Sequence, residues 1–105
     1  MVTDPTQYDD ALSTDDVFDL LADQRRRNAL AVLRDRDCAV ALPELAAETK
    51  ARCDADPDRQ DVEVSLHHAH VPRLAAAGVV RYDGSRVELT DAATQLDPFF
   101  ELAEE

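Results

Sequence analysis

Near its carboxy-terminal end the chain reads VVRYDGSRVEL: two short runs, 79–82 and 86–89, rich in β-branched and apolar residues and joined by Asp83, Gly84 and Ser85. An Asp-Gly step supplies the positive φ angles of a tight turn, so this segment predicts a two-stranded β-ribbon. The chain before it is patterned mostly as helix. Only two glycines occur in 105 residues, Trp is absent, and Ala, Leu and Val fill most apolar positions, which favours helices over a sandwich or barrel. The expected fold class is therefore mainly α with a small β-hairpin. The length suits one domain and is too short for an enzyme with separate cofactor and substrate domains.

Residues 1–12 lack periodicity and contain Pro5, and they read as a flexible acidic arm. Ser13 or Thr14 caps a first helix, with Asp15 and Asp16 in its first turn and Val17, Phe18, Leu20 and Leu21 on its apolar side. Asp23 caps a second helix over 24–36, in which Ala29, Leu30 and Leu33 recur at helical spacing. Arg25, Arg26 and Arg27 stand at the wrong end of that helix for its dipole. A carboxylate of the first helix or a phosphate has to compensate them, and two of the three are expected to hold helices 1 and 2 together. Residues 38–42 form a short apolar link or strand, and Pro43 opens a third helix to about Arg52 with Leu45, Ala46 and Thr49 inward. DADPDRQ, 54–60, is a loop. Asp61 then caps a long helix ending at Gly78, a left-handed C′ residue, with a kink expected near 68–72 because Pro72 removes a backbone hydrogen bond. After the ribbon Thr90 caps a final helix, restarted at Asp97 and Pro98, on which Leu96, Phe99, Phe100 and Ala103 share one stripe.

The charge is strongly acidic, 23 acids against 11 bases for a net −12, and 16 of the acids are Asp while Lys50 is the sole Lys. Such a balance argues against an ordinary nucleic-acid binder, but acidity with scarce Lys is similar to proteins of salt-in halophiles, where carboxylates keep the surface hydrated. Its distribution says more. Residues 1–24 hold seven acids and no base, 87–105 hold six acids and no base, and the intervening 25–86 carries all the bases and a net charge of +1. That middle could approach a polyanion. No apolar run nears the roughly 18 residues of a membrane span, and the amino terminus is acidic where a signal peptide is basic, so a cytoplasmic protein with no membrane contact is expected.

Three helices followed by a β-ribbon is the plan of a winged helix-turn-helix, in which the third helix of the core enters the major groove and the hairpin lies along the backbone. The segment FDLLADQRRRNALAVL resembles the opening of ArsR-type winged-helix regulators, and His70, Val71, Leu74, Gly78, Val79 and Val80 resemble their recognition-helix end and first wing strand. The triple Arg of the second helix, the long loop, and HAHVPRL at 68–74 resemble more closely a family of small winged-helix proteins of haloarchaea. The likeness spans roughly residues 14–100 and implies transcription regulation, with Val71 and Leu74 in the core. The paired-cysteine motif of metal-sensing ArsR proteins is missing, so metal sensing is not implied.

Domain organisation then runs as an arm at 1–12, a winged helix-turn-helix at 13–90 and a carboxy-terminal dimerisation helix at 91–105. Periodicity leaves the buried face of the long helix open, since Val62, Leu66, Ala69 and Ala77 share one side, Val64, Val71 and Ala75 share nearly the opposite one, and Pro72 can rotate the second set relative to the first. With Val71 and Leu74 inward by resemblance, Ser65 and His68 are the candidate groove contacts. Arg59 at the helix entrance and Arg81 and Arg86 flanking the wing tip are candidates for phosphates, an ion pair with a surface carboxylate being the alternative for each. Leu96, Phe99, Phe100 and Ala103 are the candidate dimer surface. His67, His68 and His70 point different ways on one helix and do not gather with Cys53 into a metal site, so no metal or cofactor is expected. Neither a third orienting group nor an oxyanion motif accompanies a Cys-His pair, so no enzyme is expected. The expected partners are double-stranded DNA and a second copy of the chain, and the competing reading is a winged-helix module that docks another protein.

Overall fold

The computed structural model describes residues 12–103. Among these residues the chain forms five helices and a small sheet: α1 (Thr14–Leu21), α2 (Gln24–Arg36), β1 (Val40–Ala41), α3 (Leu42–Ala51), α4 (Arg59–Ser65, Leu66–His70 and Val71–Ala76 in one run), β2 (Val80–Tyr82), β3 (Arg86–Leu89), a 3-10 segment (Asp91–Leu96) and α5 (Asp97–Ala103). Ser13 caps α1 in a capping box with Asp16, and the Asp23 carboxylate caps α2 by accepting from the N–H groups of Arg25 and Arg26. Leu12 belongs to this body rather than to the arm, since its N–H donates to Gln95 Oε1 at 2.8 Å. The rest of the expected arm, 1–11, lies outside the described residues.

Two of the three arginines that open α2 are explained by what lies before them. Arg26 is buried, and its Nε donates to Leu20 O at 3.0 Å and its Nη2 to Asp19 O at 2.8 Å. Arg27 Nη1 donates to Leu21 O at 2.6 Å. Both thus sit at the carboxy-terminal end of α1, where orphan carbonyls and the dipole favour a cation.

The sheet has three strands: the expected ribbon, and β1 from the segment expected as a link or strand. β1 pairs antiparallel with β3 through Val40↔Val87 and Ala41↔Arg86, giving the order β1-β3-β2. At the hairpin tip Gly84 takes φ +95°, while the Asp83 carboxylate accepts from the N–H groups of Ser85 and Arg86, both at 2.8 Å. Those N–H groups, Arg86 first, hold the Asp83 carboxyl below its usual range.

α4 departs from expectation at its start. It is capped by Asp58, whose carboxylate accepts from Gln60 N–H at 3.0 Å, three residues before the expected Asp61. Either Asp can cap a helix, and the earlier start gains an Arg59–Glu63 ion pair one turn apart at 2.7 Å. Pro72 is accommodated by a wide turn, in which Val71 N–H bonds to Leu66 O five residues back. The extra residue rotates everything after it by about 100° relative to an ideal helix. Val62, Leu66, His70, Val71 and Leu74 therefore line up on one buried face, and Val64 and Ala69 are left outside. The helix ends as expected. Gly78 at φ +83° donates to Ala75 O and Val79 N–H to Leu74 O, the paired bonds of a Schellman cap.

Thr90 stands at the N-cap position of the 3-10 segment, as expected, but its side chain makes no cap bond there. Its hydroxyl donates to Gly78 O at 2.6 Å and its N–H to Val79 O, which ties the end of β3 to the end of α4. The chain then makes one 3-10 segment whose Ala93 and Leu96 join the common core of α1–α4 and the sheet.

Candidate nucleic-acid interface

The amino-terminal half of α4 borders an open groove of roughly 720 Å³, closed on one side by Leu42 and Pro43 at the start of α3 and on the other by Tyr82, Gly84 and Ser85 of the hairpin. Arg59, Gln60, Glu63, Val64, His67 and His68 line its α4 wall. Val64 is 50% exposed, a β-branched residue with no place in the core. His67 bridges the two walls, its Nδ1 lying 3.1 Å from the Tyr82 hydroxyl and its ring edge-on to Tyr82 and to His68.

Of the residues singled out from sequence, Arg59 and His68 fall in this groove, and Arg59 is held by Glu63. Ser65 does not. Its hydroxyl accepts from Arg25 Nη1 at 2.8 Å and donates to Val62 O at 3.0 Å, on the side of α4 that faces α2. Arg81 and Arg86 lie on the outer face of the hairpin, opposite the face that buries Val80 and Val87. Arg81 stands across from Glu88 on β3 with their charged groups 3.6 Å apart, whereas Arg86 makes no ion pair among the described residues. Gln60, Val64 and His67 were not among the residues expected to contact DNA. The i, i+4 spacing of Gln60, Val64 and His68 carries the signal, but it becomes readable only once the wide turn has assigned the buried face to Val62 and Leu66.

The carboxy-terminal stripe is divided. Leu96 is 1% exposed and belongs to the core, which removes it from any surface. Phe100 is half-buried beneath the Arg34 guanidinium, 4.7 Å from its ring centre, and Arg34 also pairs with Asp97 at 3.3 Å. Phe99, 36% exposed, meets the 60% exposed Phe18 of α1 edge-to-face with ring centres 6.5 Å apart. The surface aromatic pair is thus Phe18 and Phe99. Ala103 closes α5, and its side chain lies outside the described residues.

Behind the groove, His70 is 8% exposed on the wide turn of α4, with Nδ1 3.2 Å from Arg26 Nη1 and Nε2 3.8 Å from Asp23 Oδ1. A guanidinium can only donate, so Nδ1 must accept and the ring is neutral with its proton on Nε2. Burial lowers the His70 pKa from its usual value, the Asp23 carboxylate opposes this, and Arg26, Arg25 and Arg73 add to the lowering. The sign follows directly. As pH falls through about 6.5 the unfolded chain takes up a proton that the folded chain resists, so stability is present above that value and declines below it. Urea unfolding in molar KCl should show this loss between pH 7.5 and 5.5, and His70→Gln, which keeps an acceptor for Arg26, should lack it. Equal pH dependence of the two proteins would remove the forced tautomer.

Among the described residues no group of three or more His, Cys, Asp or Glu side chains could hold a metal ion, and no helix is long and apolar enough to cross a membrane. The fold is that of a small, mainly helical domain with a three-stranded antiparallel sheet. The chain belongs to the family described as a domain of unknown function, DUF7344, whose model matches residues 18–90, from α1 to the end of the hairpin. No curated protein and no solved structure matches the chain.

Proposed function

We propose that this protein is a winged helix-turn-helix regulator of transcription, related to ArsR-type and haloarchaeal winged-helix proteins, that acts on double-stranded DNA as a cytoplasmic homodimer and has no catalytic activity. The observation that carries this reading is α4 itself: one face is fully packed, while its amino-terminal half is open along a groove beside a β-hairpin. In the proposed complex that half of α4 enters the major groove and the hairpin flanks the backbone. Arg86, and Arg81 after leaving its exposed partner Glu88, contact phosphate, as does Arg59 at the helix entrance. Exchanging a surface ion pair for a phosphate costs little, because such pairs contribute about 0–1 kcal/mol. Two subunits joined through Phe18 and Phe99 place two α4 helices on half-sites about one helical turn apart.

A competition mobility shift in high-potassium buffer tests it, since low salt could unfold so acidic a chain. The folded protein should retard a duplex selected from a random pool in preference to a scrambled one. Arg86→Ala should weaken binding to all sequences alike and lower the salt slope by about one unit. Retention of no duplex by the folded protein would overturn the DNA reading, and a monomer by sedimentation in molar KCl would overturn the dimer. The second reading, a protein-docking module, is favoured by one feature. Seven of the basic side chains, Arg34, Arg36, Lys50, Arg52, Arg59, Arg73 and Arg81, already stand in ion pairs with carboxylates.

A further inference from the structure

Most polar side chains on the exposed part of α4 are already committed. Arg59 and Glu63 hold each other, Ser65 is bonded to Arg25 and to Val62 O, and His67 is tied to the Tyr82 hydroxyl. Three exposed groove residues have no such commitment: His68, which among the described residues makes only a ring contact with His67, and the neighbours Gln60 and Val64 one helical turn apart. The Gln60 carboxamide makes no hydrogen bond among the described residues, and the Val64 isopropyl group projects half-exposed into the groove.

We infer that α4 reads an adenine and a neighbouring thymine through Gln60 and Val64, the carboxamide pairing with the adenine N6 and N7 edge and the isopropyl group seating the thymine 5-methyl. The inference rests on the DNA-binding reading above and assigns its specificity. A carboxamide offers one donor and one acceptor side by side, which matches adenine's N6 donor and N7 acceptor; guanine offers two acceptors and cytosine a lone donor. An isopropyl group offers nothing to hydrogen-bond, and the apolar feature of the major groove is the thymine methyl. The spacing suits this pair. Four helical residues rise about 6 Å, against about 3.4 Å per base pair, so the two side chains reach base pairs one or two steps apart. Val64 exposed to water in the free protein gains on losing that water to a methyl group.

The test uses the full chain in high-potassium buffer and the duplex it selects from a random pool. Replacing the contacted thymine by uracil removes one methyl group and should weaken wild-type binding about fourfold, while Val64→Ala should bind the two duplexes alike. Replacing the contacted adenine by 7-deazaadenine should weaken wild-type binding about tenfold, and Gln60→Leu should be indifferent to the change. Ser65→Ala should keep both discriminations. Gln60 and Val64 are exposed, so the variants should melt as wild type does, which circular dichroism checks. If the wild type selects a site but tolerates both base replacements, or if the variants keep the discrimination, this assignment is overturned while DNA binding stands. If no duplex is selected, the DNA reading falls with it.

Discussion

Arg26→Ala should destabilise the protein by about 3 kcal/mol, the largest effect expected of any charged residue here. The guanidinium is the common partner of Asp19 O, Leu20 O and His70 Nδ1, and so joins the end of α1, the start of α2 and the wide turn of α4. Truncation leaves those acceptors without their donor in a region with little access to water. Each buried acceptor so stranded costs about 1–3 kcal/mol, reduced where water can enter. Arg27→Ala, which removes one exposed bond to Leu21 O, should cost less than about 1 kcal/mol. Urea unfolding in molar KCl measures both. If the two variants lose the same small amount, α1 is held by its apolar face alone.

Transfer from molar KCl to about 10 mM salt should lower the thermal midpoint by on the order of 10 °C, because a few kcal/mol of unscreened repulsion shifts a domain of this size that far. The fold brings the two base-free acidic segments together. Phe18 of α1 touches Phe99 of α5, and Leu12 bonds to Gln95, so the described parts of the two segments meet there. Arg73 offsets Asp19 and Arg34 offsets Asp97, but these pairs are partly or largely exposed. At 1 M salt charges are screened beyond about 3 Å, and at 0.01 M only beyond about 30 Å. A midpoint that is unchanged or higher at low ionic strength would contradict a fold adapted to salt.

Local signals were the legible ones. Asp23, the Gly78 terminus and the Asp83-Gly84 turn each act through a bond within a few residues, and each element falls where those residues place it. That two of the three arginines tie α2 to α1 was legible for the same reason, but the expected partner was a carboxylate or a phosphate, whereas Arg26 and Arg27 serve backbone carbonyls. Two of the misplaced features depend on the whole fold. Turning Thr90 toward Gly78 O and drawing Leu96 into the core are decided by packing that no local pattern encodes, whereas Asp58 and Asp61 are both competent local caps three residues apart. The face of α4 was hidden by Pro72. Its wide turn joins two apolar sets that an ideal 3.6-residue period keeps apart, and the groove residues Gln60 and Val64 become identifiable only after that shift.

The most direct test of DNA reading by α4 is a backbone amide NMR titration of the full chain with its selected duplex in high-potassium buffer. The largest shifts should fall on residues 59–68 and on the hairpin tip at 82–86, with Phe18 and Phe99 unmoved by the duplex. Shifts confined to α1 and α5, or a spectrum that no duplex changes, would contradict the assignment of the α4 groove as the nucleic-acid interface.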